Sequence, residues 1–81
     1  PVAAPAHLEP EAATSGNERL RRVLDAVARL PFEQREAFLL KEEGGLSLEE
    51  IAEATGVGRE TVKSRLRYAL AKLREELRDV V

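Results

Sequence analysis

The chain has 81 residues and a formal net charge of −2, and 43% of its residues are hydrophobic although only three are aromatic. This length allows one small domain, and the absence of cysteine excludes disulfides and thiolate metal sites. No segment approaches the roughly 20 consecutive apolar residues that cross a membrane, and no signal-peptide pattern opens the chain, so we expect a cytoplasmic protein that does not bind membranes.

Residues 1–16 are rich in Ala and Pro and lack the periodicity of a helix or a strand. Such a segment buries little apolar surface, so we predict a disordered linker or tail. The single histidine, His7, has no neighbouring ligand residues, and we predict neither a metal site nor a cofactor. Because the chain begins with Pro1 rather than Met, we expect a processed product or part of a longer protein.

Residues 17–81 are predicted to form one all-α domain of four helices, and no strand pattern appears. The first helix is predicted to start near Ser15 or Asn17, which are good N-caps, and to end before Pro31. Apolar residues at three- and four-residue steps predict its buried side. These residues are Leu20, Val23, Leu24, Val27 and Leu30.

The second helix is predicted to run from about Phe32 to Glu43. Proline is tolerated at the first position of a helix, so this helix can begin directly after the first one ends. It is predicted to bury Phe32, Phe38 and either Leu39 or Leu40, and the Gly-Gly pair at 44–45 ends it.

The third and fourth helices follow the pattern of a helix-turn-helix. Residues 47–50 read Ser-Leu-Glu-Glu, which predicts a capping box at the start of the third helix. Gly56 is predicted to end that helix in a left-handed conformation, and Gly58 to serve as N-cap of the fourth. The third helix directs Leu48, Ile51 and Ala52 inward. The fourth carries one apolar face: Val62, Leu66, Ala69, Leu70, Leu73 and Leu77.

The fourth helix is strongly cationic although the whole chain is acidic. Residues 59–74 contain six Lys or Arg residues and one Glu. A helix fits the major groove of B-DNA. There Arg and Lys bind guanine or phosphate, Glu accepts a hydrogen bond from the cytosine amino group, and the hydroxyls of Ser and Thr can donate to or accept from a base. Side chains in the first turns reach base edges most easily. We therefore predict DNA contacts by Arg59, Glu60, Lys63, Ser64 and Arg67.

Structural roles for the same side chains stay open at this point. Arg65 is as well placed to pair with Glu49 or Glu50 as to bind phosphate. Glu60 suits the first turn of any helix because of the helix dipole, and Tyr68 suits the edge of the core.

Three segments of the sequence resemble a known family in order and spacing. Residues 30–35 read Leu-Pro-Phe-Glu-Gln-Arg, residues 45–52 read Gly-Leu-Ser-Leu-Glu-Glu-Ile-Ala, and residues 61–66 read Thr-Val-Lys-Ser-Arg-Leu. They are similar to Leu-Pro-x-x-x-Arg, Gly-x-Ser-x-x-Glu-Ile-Ala and Thr-Val-Lys-Ser-Arg of region 4 in bacterial sigma factors, closest to the extracytoplasmic-function group. The resemblance covers about residues 20–77. One departure is Glu60, where that group commonly has Gly.

The resemblance implies a domain of RNA polymerase that reads the −35 element of promoters, and hence a role in transcription initiation. The family's DNA-reading positions fall on Arg59, Glu60, Thr61, Lys63, Ser64 and Arg67. Arg35 matches a family arginine that contacts the DNA backbone. The implied protein partners are the flap of the polymerase β subunit and, for many members, an anti-sigma factor. Residues 1–16 would then belong to a linker between two sigma domains or be a remnant of cloning.

Two alternatives to this function remain at the level of sequence. A response-regulator output domain shares the four helices and dimerises, often through its last helix. A protein-interaction module would use the basic helix to bind an acidic partner such as an anti-sigma factor, in keeping with the net charge of −2. We predict no enzymatic activity, because the carboxylates lie beside Lys and Arg on surface faces and the chain has no glycine-rich phosphate loop.

Overall fold

The computed structural model describes residues 10–79 of the chain, with side chains from residue 16 onward. This part consists of four α-helices: α1 (Pro10–Ala28), α2 (Phe32–Glu42), α3 (Leu48–Thr55) and α4 (Arg59–Glu76). The residues described contain no strand, which confirms the predicted all-α class. Between residues 10 and 79, no helix is long and apolar enough to cross a lipid bilayer.

Helix α1 begins at Pro10, earlier than the predicted start near Ser15 or Asn17. Proline suits the first position of a helix, and Ala12 and Ala13 are strong helix formers. The prediction relied on apolar periodicity, which this segment lacks, and gave too little weight to helix propensity. The predicted tail therefore lies in part on residues 1–9, outside the described residues, whereas residues 10–16 are the first turns of α1.

The turn between α1 and α2 is held by a side chain. Pro31 is the N-cap of α2, and its carbonyl accepts from the backbone N–H of Arg35 at 2.9 Å. The Arg35 Nη1 donates to the carbonyls of Ala28 at 3.1 Å and Leu30 at 2.8 Å. The last carbonyls of a helix have no partner within it, so Arg35 caps the C-terminal end of α1.

Helix α2 ends as its glycines predict. Gly45 has a φ of +68°, a left-handed conformation that glycine adopts without steric cost. Its N–H donates to the Lys41 carbonyl at 3.1 Å, and the N–H of Leu46 donates to the Leu40 carbonyl at 3.1 Å. The first bond is typical of the αL type of helix ending, in which the left-handed residue donates to the carbonyl four residues back, and the chain then turns toward α3.

The buried residues form two separate clusters. The α1–α4 cluster consists of Ala26, Val27, Leu30, Ala69 and Leu73, with Phe38 and Leu77 packed against it. The α2–α3–α4 cluster consists of Ala37, Ile51 and Val62, one from each helix, and partly buried apolar side chains surround it. Ile51 and Val62 are fully buried. Helix α4 contributes to both clusters, so its orientation is fixed along most of its length.

Several residues predicted to be buried are exposed instead. Phe32 is 60% exposed, because it opens α2 and its ring lies beside the Arg35 guanidinium, with the guanidinium carbon 5.9 Å from the ring centroid. Leu20, Val23 and Leu24 are also exposed. An ion pair of Arg22 with Asp79, at 2.8 Å, joins α1 to the residues that follow α4. Leu20 precedes this pair, so it lies beyond the part of α1 that packs on α4.

Candidate nucleic-acid interface

The bend between α3 and α4 has the geometry of a helix-turn-helix. The Ser47 hydroxyl accepts from the Glu50 N–H at 3.1 Å, and the Glu50 carboxylate accepts from the Ser47 N–H at 2.8 Å. Gly56 has a φ of +73°, and its N–H donates to the Ala52 carbonyl at 2.9 Å. Gly58 is the N-cap of α4 in an extended conformation. The predicted capping box, left-handed glycine and N-cap are confirmed.

The packing of α4 determines which of its sides faces solvent. Val62, Ala69 and Leu73 are buried, and Leu66 packs on the α2–α3–α4 cluster. At about 100° per residue, the side opposite these residues carries Glu60, Ser64 and Arg67. Thr61 and Lys63 lie on its two flanks and Arg59 begins the helix. The structure thus brings six of the seven predicted contact residues together on the first nine residues of α4.

Two ion pairs organise the charges at the start of α4. The Arg59 Nε donates to the Glu49 Oε2 at 2.8 Å, and the Lys63 Nζ lies 3.8 Å from the Glu60 Oε2. The pKa of the Glu49 carboxyl is lowered by a hydrogen bond from its own backbone N–H, and then by the bond from Arg59 and its charge. All four side chains are exposed to solvent, so each remains accessible to a ligand.

The pairing of Glu49 differs from the one considered from the sequence. Arg65 was a candidate partner of Glu49 or Glu50, but Glu49 binds Arg59, and Glu50 binds the Ser47 N–H. Arg59 is the first residue of α4 and lies next to the turn, whereas Arg65 is six residues further along the helix. Helical periodicity could not predict this choice, because the choice depends on the angle between α3 and α4.

Arg67 and Tyr68 extend the exposed side of α4 beyond its second turn. The Arg67 guanidinium carbon lies 5.3 Å from the centroid of the Tyr68 ring, a cation–π contact. Tyr68 is 56% exposed, so the suggestion that its ring packs against the edge of the core is wrong.

Arg35 is the predicted site residue that lies outside α4. Its Nη1 is engaged with the carbonyls of Ala28 and Leu30 at the end of α1. Sequence reasoning missed this capping role, although an Arg a few residues after a Leu-Pro helix break is a usable signal for it.

Comparison with known proteins identifies the family. Residues 20–80 match the family model described as Sigma-70, region 4. A relative from Streptomyces antibioticus named RNA polymerase sigma-E factor is 46% identical over 55 residues, which are 68% of this chain and 31% of that protein. The chain therefore spans less than a third of that relative. With its capped third helix, glycine turn and basic fourth helix, the chain belongs to the sigma-70 region 4 family, of the extracytoplasmic-function type.

Proposed function

We propose that this chain reads the −35 element of promoters as a DNA-binding domain of an RNA polymerase sigma factor, and so directs transcription initiation. The observation that carries the proposal is the exposed side of α4. Cationic and hydrogen-bonding side chains occupy its first turns, while Val62 and Ala69 anchor the opposite side in the protein. A helix presented in this way fits the major groove with its N-terminal residues toward base edges.

The proposed contacts follow from the chemistry of each side chain. Arg59, Lys63 and Arg67 bind guanine or phosphate, Glu60 accepts from a cytosine amino group, and the hydroxyls of Thr61 and Ser64 bind either bases or phosphates. Arg35 uses one guanidinium nitrogen within the protein, and we propose that its remaining donors bind a backbone phosphate. This contact would position the domain without reading sequence.

We also propose that the polymerase core binds this domain through the β-subunit flap, and that an anti-sigma factor sequesters it. The family match supports the polymerase core as a partner, and the anti-sigma factor is proposed from the resemblance of the sequence alone. Tethering to polymerase raises the effective concentration of the domain at the promoter. A weak intrinsic affinity therefore suffices, as expected for a domain with a net charge of −2.

The test is a binding titration after selection of preferred duplexes from a randomised pool. Arg59→Ala should cost about 1–3 kcal/mol on the preferred duplex and relax selectivity at one base pair. Lys63→Ala should weaken binding to all duplexes and reduce the salt dependence by about one counterion. Lys72→Ala is the matched control, because it removes the same charge from α4 nine residues further along and should change binding least.

The outcomes separate the alternatives. Unchanged affinity in both the Arg59 and the Lys63 variant would remove the assignment of α4 as the reading helix. No binding of any duplex at low salt would favour the protein-interaction module. A stable dimer in sedimentation at micromolar concentration would favour the response-regulator type of domain, whereas the family match favours the sigma factor.

A further inference from the structure

The contact between Glu49 and Arg59 leaves the far end of the arginine available. The bond to Glu49 Oε2 uses Nε, the nitrogen nearest the backbone. Among the residues whose side chains are described, neither terminal nitrogen of Arg59 has a hydrogen-bond partner. An arginine reads guanine by presenting two parallel N–H donors to the O6 and N7 atoms. The contact thus occupies a donor that this readout does not need.

Glu49 is itself held in place at the start of α3. The capping box of Ser47 and Glu50 fixes the first turn of this helix, and Ile51 anchors it in the α2–α3–α4 cluster. Glu49 lies between Ser47 and Ile51 in the chain, so its backbone has little freedom. A carboxylate on a rigid element restricts the rotamers of a long side chain that it binds, and so reduces the entropy lost when that side chain meets a base.

We infer that Glu49 is a positioning residue that sets the base selectivity of Arg59. This inference rests on the proposed function, because it assigns Arg59 to a base rather than to a phosphate. Glu49 orients the guanidinium plane through Nε, and the two terminal nitrogens of Arg59 read a guanine. Glu49 is not expected to touch DNA.

A positioning role of Glu49 predicts a change in base discrimination that a simple charge effect does not. A carboxylate near DNA repels the phosphates, so its removal should increase the affinity for all duplexes. If Glu49 also orients Arg59, its removal should decrease discrimination at the base pair that Arg59 reads. The two effects have opposite signs and appear in different measurements, namely the mean affinity and the ratio of affinities between duplexes.

The experiment compares the whole chain with Glu49→Ala, Glu49→Gln, Arg59→Ala and the double variant on a panel of duplexes. The panel consists of the preferred duplex and every single-base-pair change of it. Glu53→Gln is the matched control, because Glu53 is exposed one turn further along α3 and has no ion pair with the described residues. Thermal unfolding of each variant verifies that it is folded.

In Glu49→Ala we expect discrimination to fall by about fivefold to tenfold, which is at the lower end of the discrimination that one bidentate base contact provides. The loss should occur at the same base pair that Arg59→Ala identifies. Affinity averaged over the panel should be unchanged or higher. The double variant should discriminate no less than Arg59→Ala alone. Glu53→Gln should raise affinity slightly and keep the discrimination.

Free protein gives a second readout that does not depend on DNA. In an NMR spectrum of the arginine side chains, the Nε–Hε signal of Arg59, assigned by its loss in Arg59→Lys, should exchange slowly with water. Glu49→Ala should speed this exchange, and Glu53→Gln should leave it unchanged. An exchange rate that is the same in Glu49→Ala as in the unmodified chain would contradict the inference.

The failure of this inference is distinguishable from the failure of the proposed function. If the unmodified chain shows no preference among duplexes, the proposed function fails and the inference fails with it. If Arg59→Ala relaxes one base pair but both Glu49 variants keep the full discrimination there, the inference alone is wrong. A uniform rise in affinity without any loss of discrimination would show that Glu49 acts only through its charge.

Discussion

Arg29 at the end of α1 and Glu76 at the end of α4 form a forked contact. Both Nη2 and Nε of Arg29 donate to the same Glu76 oxygen, at 2.6 and 3.1 Å. Arg22 pairs with Asp79 further from the core. The earlier arginine, Arg22, pairs with the later carboxylate, and the later arginine, Arg29, pairs with the earlier one. Helix α1 therefore lies antiparallel to α4. The two pairs hold α1 in register against the α1–α4 cluster.

The Arg29–Glu76 contact predicts a pH dependence of stability. The hydrogen bond from Arg29 lowers the pKa of the Glu76 carboxyl below its ordinary value of 4.5. A carboxylate with a lowered pKa stabilises the fold above that ordinary value, and this contribution is lost as the pH falls through the folded-state pKa. Glu76→Gln should therefore be less stable than the unmodified chain at pH 7, and the difference should shrink below about pH 4.5.

Urea unfolding at a series of pH values measures this difference. Glu75→Gln is the control, because it removes an equal charge from the neighbouring position. Glu75 has only a 3.9 Å contact with Arg78 on the surface. A stability difference between Glu76→Gln and the unmodified chain that does not change with pH would contradict this prediction.

Substitution of Arg35 separates its two roles. Arg35→Ala removes the donor to the Ala28 and Leu30 carbonyls and should cost about 1–2 kcal/mol of unfolding free energy, as for a partly buried hydrogen bond from a charged group. Arg35→Lys keeps the charge but not the planar guanidinium group. It should therefore lose most of the stability that the cap contributes and retain most of the DNA affinity. Chemical denaturation and duplex titration give the two quantities. Full stability in Arg35→Ala would contradict the capping role.

The two glycines of the turn should respond in opposite directions. Gly56 has a φ of +73°, so Gly56→Ala places a Cβ in the left-handed region at a cost of about 1–2 kcal/mol. Gly58 is an N-cap without a side-chain hydrogen bond, and a Cβ there meets nothing within 4 Å. Gly58→Ser should therefore stabilise α4 by a few tenths of a kcal/mol, about the difference between Gly and a hydroxyl cap. Thermal unfolding of both variants measures the contrast, and equal shifts would exclude this account of the turn.

Ile51, in the α2–α3–α4 cluster, should contribute far more to the stability of the fold than the exposed part of α1. Ile51 is fully buried, and Ile51→Ala should cost about 2–5 kcal/mol through lost burial and the cavity left behind. Leu20 is 55% exposed, and Leu20→Ala should change the unfolding free energy by less than about 0.5 kcal/mol. Urea denaturation of the two variants compares them. A similar loss in both would mean that α1 is packed along its whole length.

Features of the fold that depend only on residues close together in the sequence were predictable. The capping box at Ser47, the left-handed Gly56 and the glycine end of α2 each require only local backbone geometry. The inward positions of α3 and α4 largely follow from helical periodicity: Ile51 and Val62 are buried, whereas Leu70, also predicted on the apolar face, is 45% exposed.

Features that depend on how the helices pack were not predictable in the same way. Leu20, Val23 and Leu24 share a stripe with Val27 and Leu30 but are exposed, because only the last part of α1 belongs to the α1–α4 cluster. The partner of Glu49 and the cap provided by Arg35 depend on the angles between helices, which periodicity does not determine. At the interface, the outward side of α4 follows from its sequence, while the base that each residue meets depends on the DNA and stays a prediction.

The division of the core into two clusters has a consequence for partial opening of the molecule. No residue of α1 belongs to the α2–α3–α4 cluster or packs against it, within the described part of the chain. Separation of α1 would expose Ala69 and Leu73 but leave the helix-turn-helix with its own buried residues. Amide hydrogens of α1 should then exchange with solvent through an opening of lower free energy than the opening that exposes the amides around Ile51 and Val62. A partner that binds α1 would thus displace it while α4 keeps its packing on α2 and α3.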